Sequence, residues 1–336
     1  MVTPITEKRF FYKPANGFEY PRYFEAFNKC LTSTWNPLEV DMNTDLLDWE
    51  ASTAAEKKVI GGILRGFTQI ECVIGDYWSD VVVKMFPKPE IASMCYAFSF
   101  FEALHAFAYN HLSSTLGIDE ETEYYSDELA QKKINYLYDN RSTPKIKLAI
   151  FSAGAEGVAL FSSFSVLLSY SKNGKFKGLS QIISWSILDE QKHSDEAGEL
   201  FKELVKLEPL TKDELEKIDD GMKTIVENEL LFLNNVFGDL QTINGINKES
   251  FIHFIYSRAN DRLKNIGLAE LANYECELEE VEKVSSWFHP LSEGNISQDF
   301  FAHKKDGSLY IAKPTFDSNR IDWNTMGDCL KVDLFK

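Results

Sequence analysis

Apolar residues recur at helical spacing through most of the chain, in long stretches separated by short polar or proline-marked breaks. A Ser/Thr-x-x-Glu cap signature, Ser52-Thr53-Ala54-Ala55-Glu56, opens one stretch that runs to about Phe86, where Pro87 and Pro89 stop it. A second runs from Pro89 to Leu116 and ends at Gly117; a third, from Pro144 to about Ser171, is apolar almost all round, as a central helix is. A fourth spans Leu179 to Leu207. Shorter helices are predicted near 21–32, 44–49, 211–237, 248–270 and 272–285, with a polar segment of loops and a short helix over 118–143. Strand-like alternation is sustained nowhere, so the expected fold is all-α. We divide the chain into an aromatic, proline-rich arm (1–30), a helical domain (31–290) and a Gly-, Ser- and Lys-rich C-terminal segment (291–336), expected to be a flexible tail from about 312.

Within the second and fourth stretches the polar exceptions carry the chemistry. Phe100-Phe101-Glu102-Ala103-Leu104-His105-Ala106-Phe107-Ala108-Tyr109 puts Glu102, His105 and Tyr109 on one face of a helix. A buried carboxylate and imidazole are costly unless paired or metal-bound. Taken alone, the stretch reads more readily as a satisfied Glu–His pair in a core. The second copy changes that reading. Glu71 stands alone among apolar residues 31 positions before Glu102-x-x-His105, and Glu156 stands alone 34 positions before Glu190-x-x-His193. Four acids and two imidazoles from four helices form the ligand plan of ferritin-like dimetal bundles. That donor set suits iron or manganese better than zinc or copper.

Composition narrows the rest. With 336 residues the chain can bury a large core, and its net charge of −17 argues against nucleic acid or an anionic membrane as partner. Five scattered cysteines (Cys30, Cys72, Cys95, Cys276, Cys329) without Cys-x-x-Cys fit a reducing, cytoplasmic compartment. The start reads unlike a signal peptide, and no uninterrupted run approaches the length of a membrane helix. There is no Gly-rich phosphate loop.

Over roughly 12–310 the sequence resembles the small, radical-generating subunit of class I ribonucleotide reductase. The resemblance rests on Trp35-Asn-Pro-Leu-Glu-Val-Asp41, Glu102-Ala-Leu-His-Ala-Phe-Ala-Tyr109 and Asp189-Glu-Gln-Lys-His193. It implies a ferritin-like bundle with Glu71, Glu102, His105, Glu156, Glu190 and His193 as ligands of a dinuclear centre. Tyr109 falls on the position of the stable tyrosyl radical in many members, Trp35 on the tryptophan that passes an electron to the site, and Asp189 on the acid linking Trp35 to His105. Leu160 and Phe164 match apolar positions that shield the radical, and Tyr310 resembles the tail tyrosine that relays it. The first ligand departs from the pattern: many diiron–tyrosyl members have Asp where this chain has Glu71. Glu there occurs in subgroups that keep the oxidising equivalent on the metals. Tyr12-Lys-Pro, Phe86-Pro-Lys-Pro-Glu90 and Asp189-Glu-Gln are most similar to the dimanganese subgroup, which the resemblance implies is activated by superoxide. Two manganese ions are therefore expected ahead of two iron ions, and both ahead of a mixed pair. The resemblance also implies a homodimer and a separate large catalytic subunit, docked through the tail with Leu330-Lys-Val-Asp-Leu-Phe335 as anchor. The alternatives are a stand-alone dimetal oxidase or desaturase on the same bundle, which has no obvious use for Trp35 or Tyr310, and a non-enzymatic iron store or scaffold.

Overall fold

The computed structural model describes residues 4–13, 17–118 and 143–292, with no description of the side chains of Gln69 and of 289–292. Two antiparallel helix pairs make the centre. In the first, α1 (Pro21–Ser33) and α2 (Asn43–Ala51) lead into α3 (Ala54–Asp76), which packs along α4 (Pro89–Leu116). The cap of α3 forms as its sequence demands: Thr53 Oγ1 accepts from the Glu56 amide at 3.2 Å, and a Glu56 oxygen accepts from the Thr53 amide at 2.8 Å. Beyond Asp76 the chain stays helical through a wide π turn, Tyr77–Val82, then Val83–Met85. Pro89 opens α4 where its missing N–H costs nothing, and Gly117, at φ 71°, closes it in a left-handed conformation.

The second pair is α5 (Pro144–Asn173) against α6 (Lys177–Leu207). Almost every side chain of α5 is buried, because α6, α7 (Lys212–Phe237) and α8 (Lys248–Asn265) enclose it. Between Ile150 and Ala159 it widens to π spacing. Helix α6 is capped from a distance, since the buried Asp45 carboxylate of α2 accepts from the Gly178 and Leu179 amides at 2.9 and 2.8 Å. Finally, α9 (Leu278–Ser292) lies on α8.

Three expectations need correcting, and a short hairpin is added to the all-α plan. The helix expected over 272–285 is α9, displaced towards the C-terminus, and the one expected to reach 270 stops at Asn265. A two-stranded hairpin, β1 (Thr242–Ile243) with β2 (Ile246–Asn247), turns at Asn244-Gly245 with φ of 50° and 78°. Asn-Gly supplies the two positive φ angles that tight hairpins need. Lastly, α4 and α5 do reach the length and hydropathy of membrane spans (mean hydropathy 1.3 and 1.5), because Ser, Gly and single acids dilute their apolar character without abolishing it. In α5 that window is 94% buried inside the protein, as befits the middle of a bundle.

Candidate metal centre

Glu71 comes from α3, Glu102 and His105 from α4, Glu156 from α5, and Glu190 and His193 from α6. All six are buried. They meet as two overlapping clusters, Glu71–Glu102–His105–Glu190 and Glu102–Glu156–Glu190–His193, in each of which one ligand atom per residue lies within 4.8 Å of the others. Glu102 and Glu190 belong to both. His105 Nδ1 is 2.8 Å from Glu190 Oε1 and 3.4 Å from Glu102 Oε2; His193 Nδ1 is 2.6 Å from Glu102 Oε1 and 3.3 Å from Glu190 Oε2. Gly75, one turn after Glu71, lets the helices close here, as a Cβ would sit 3.2 Å from Glu102 Cβ.

These residues fit a dinuclear centre. Despite the short separations, both oxygens of Glu71, Glu102 and Glu190, Glu156 Oε2 and both Nδ1 atoms lack a hydrogen bond of acceptable geometry. Buried polar atoms are rarely left so. Lone pairs converging on a common space are what a cation needs, and carboxylates shared by two clusters are what a bridged pair needs. With side chains alone, the acids divide. Burial, followed by the Glu190 and Glu102 charges, raises the Glu71 pKa; burial, followed by the same two charges, raises Glu156. Burial would lower the two histidines, but Glu190 chiefly drives His105 up and Glu102 chiefly drives His193 up to about 9. Burial would raise Glu190, yet His105 and His193 hold it low.

Asp189 sits behind His105. Its Oδ2 accepts from Trp35 Nε1 at 2.9 Å and lies 3.4 Å from His105 Nε2. The Trp35 indole stacks on the His105 ring, with centroids 5.8 Å apart at 20°. Burial would raise the Asp189 carboxyl; His105, Lys192 and Trp35 hold it below its ordinary value. Tyr109 is buried with its ring 6.3 Å from that of His105 and its hydroxyl without a hydrogen bond. Its nearest aromatic cover is Phe67 at 4.9 Å, with Phe164 behind Phe67 at 5.0 Å; Leu160 is also buried. Tyr310 and Leu330–Phe335 lie outside the described residues.

Sequence reasoning passed over three neighbours. Trp78 donates from Nε1 to Glu156 Oε1 at 2.6 Å, Lys192 donates to Asp189 Oδ1 at 3.1 Å, and Phe98 packs on His193 at 4.3 Å. Lys192 sits three residues after Asp189 on one helix face, so its pairing was legible. The Trp78 contact spans 78 positions across two helices and left no signal in the sequence.

The family model "Ribonucleotide reductase, small chain" matches residues 13–278. The "Probable ribonucleoside-diphosphate reductase small subunit 048L" of Invertebrate iridescent virus 3 is 30% identical over 318 residues, covering 85% of this chain and 81% of its own. This chain belongs to the ribonucleotide reductase small-chain family. Ribonucleoside-diphosphate reductase 2 subunit beta of Escherichia coli K12 is 24% identical over 309 residues, covering 89% and 93% of the two chains. The fold agrees as well. The dimanganese(II)-NrdF of Streptococcus sanguinis superposes with a TM-score of 0.70 at 23% identity, covering 83% of this chain and 99% of that one. A putative class I ribonucleotide reductase from Bacillus halodurans does so with 0.72 at 20% identity, covering 79% and 99%. The ferritin-like, all-α expectation therefore holds, and so does the reading as an oxidoreductase: the chain is a ribonucleoside-diphosphate reductase small subunit with a carboxylate–histidine cluster suited to two metals.

Proposed function

We propose that Glu71, Glu102, His105, Glu156, Glu190 and His193 would hold two metal ions, Glu102 and Glu190 being common to both clusters, and that this small subunit delivers a one-electron oxidant to a large catalytic subunit that reduces ribonucleotides. The observation that carries the reading is the pair of buried clusters sharing two carboxylates. When bound, the dinuclear centre supplies the oxidising equivalent. The protein's own groups do the rest. Asp189 holds His105 through Nε2, leaving Nδ1 for the metal side, as outer carboxylates do for ligating histidines. The same oxygen receives the Trp35 N–H, so the indole is tethered to the site by one acid and stacked on one of its ligands. Trp35 would thereby be placed to serve as the electron donor to the site, with Asp189 as acceptor for its N–H proton. Phe67, Phe164 and Leu160 keep water from Tyr109.

Glu71, with Tyr12-Lys-Pro and Phe86-Pro-Lys-Pro-Glu90, supports the dimanganese subgroup; two iron ions are second and a mixed pair third. The dimanganese(II) form of the Streptococcus sanguinis neighbour accords with that order. In this reading the oxidant resides on the metals, and Tyr109 is a candidate radical carrier beside them. The remaining assignments belong to the same proposal: a cytoplasmic homodimer; an arm (1–30), a dimetal domain (31–290) and a docking tail (291–336); and Tyr310 relaying the radical to the large subunit. Neither nucleic acid nor membrane is a partner.

The test combines metal analysis, electron paramagnetic resonance and turnover with the large subunit. Metal-loaded wild type should yield deoxyribonucleotides, whereas Glu102→Ala should lose metal and product together. Trp35→Phe should keep its metal and lose product. Undiminished product from both variants would sink the proposal. A phenoxyl signal would place the radical on Tyr109; a multiline manganese spectrum would place the oxidant on the metals.

A further inference from the structure

Around Glu156, α5 is held from outside. Its wide segment, Ile150–Ala159, has π spacing, and π segments are less regular than α-helix and often mark functional sites. Two carbonyls of this segment accept side-chain hydrogen bonds from other helices. Ser152 O accepts from Ser194 Oγ of α6 at 2.6 Å, and Gly157 O accepts from Arg258 Nε of α8 at 2.7 Å. The same guanidinium continues to α6, where Nη2 donates to Gln191 Oε1 at 3.0 Å. Gly157 follows Glu156 and Gln191 follows Glu190, so one side chain grips the position next to a ligand candidate on each of two helices.

The surroundings fix that grip. The Arg258 guanidinium lies over the Phe161 ring, 3.4 Å from its centroid. One turn on, Arg262 pairs with Asp195 at 2.8 Å, and its stem fills the space beside Gly157, where a Cβ would come within 2.8 Å of it. That close approach brings α8 near enough for Arg258 to reach across. Desolvating a guanidinium is costly, and here the hydrogen-bond acceptors are a carbonyl and an amide oxygen. An apolar side chain would fill the volume without that cost. What it could not do is join two acceptors on two helices with a rigid planar fork.

We propose that Arg258 is a positioning residue that locks α5 to α6 and so sets the placement of Glu156 relative to Glu190 and His193. This rests on the dimetal reading and deepens it, since Arg258 holds the helix positions beside both Glu156 and Glu190 of one cluster but reaches the other cluster only through the shared Glu190.

The experiment is a Mn(II) titration of the full chain, following free Mn(II) by electron paramagnetic resonance. Wild type is expected to take two ions per chain, one for each cluster. Arg258→Met should keep the first and bind the second roughly 10- to 100-fold more weakly, the usual effect of removing a group that orients ligands. Arg258→Lys should move the same way, because a single ammonium cannot span both acceptors. Gln191→Ala, which removes only the α6 arm of the bridge, should weaken the same ion. If wild type takes no pair of ions, the dimetal reading itself fails. If wild type takes two and the variants bind both with unchanged affinity, the role of Arg258 is overturned. Should Arg258→Met not fold, Arg258→Lys and Gln191→Ala decide by the same criteria.

Discussion

Asp189 receives the Trp35 indole and lies against the His105 ring through one oxygen, and takes the Lys192 ammonium on the other. Asparagine keeps its shape but offers one acceptor and a donor in place of two acceptors. Asp189→Asn is therefore expected to retain metal, by elemental analysis, and to lower deoxyribonucleotide formation roughly 10- to 100-fold. Trp78 supports a different conclusion. Its N–H is the hydrogen-bond partner of Glu156 Oε1 in a buried setting. Trp78→Phe leaves that oxygen without its donor, and stability in chelator, measured by urea unfolding, should fall by about 1–3 kcal/mol. The six ligand candidates were legible in the sequence because each Glu-x-x-His pair lies on one helix and the pattern occurs twice, whereas Asp189 was marked by the family resemblance. The Trp78–Glu156 contact was not, since nothing local records which face of a distant helix it meets.

Two helix ends show how elements are tied. Asp45 caps α6 from another helix through two backbone amides, which stands in for the side-chain cap that Phe176 cannot supply. Asp45→Ala should cost about 1–2 kcal/mol, in the range of lost N-caps, read as a lower urea midpoint at unchanged slope. At the start of α7, the Glu214 carboxylate accepts from the Thr211 amide at 3.0 Å, from Thr143 at 2.9 Å, and pairs with Lys145 of α5 at 3.0 Å. Burial would raise it, but the Thr211 amide and Lys145 hold it down at about 2. A carboxylate so depressed stabilises the native state above its unfolded value of about 4.3, and that contribution is lost as pH falls towards 2. Glu214→Gln should therefore be less stable than wild type at neutral pH, with the gap closing between about pH 4.3 and 2 in pH-dependent unfolding. The α7 cap was written locally as Thr211-x-x-Glu214, whereas the link to Lys145 needed the fold.

For the molecule as a whole, the proposed tail separates two functions. Deleting residues 291–336 should leave metal content and radical yield unchanged while abolishing turnover with the large subunit, measured as product and as loss of co-elution. Unimpaired turnover would show that docking lies elsewhere. Charge bears on the same scale. At −17 the chain repels nucleic acid and anionic lipid. The long apolar run of α5, which by hydropathy alone could be a membrane span, is accounted for by its central place in the bundle, where 94% of the window is buried; in α4 the buried share is 44%.

By itself the sequence determined the helix count at the centre, the order Glu71, Glu102-x-x-His105, Glu156, Glu190-x-x-His193, and the kind of metal those donors favour. These are local properties, carried by periodicity and by spacing within a turn. Tertiary structure alone decided that Glu102 and Glu190 are the shared pair, that Trp78 holds Glu156, and that α5 widens where Arg258 and Ser194 take its carbonyls. Each of these depends on which faces of separate helices meet. Helix crossing is set by packing over many residues, and no short stretch of chain encodes it.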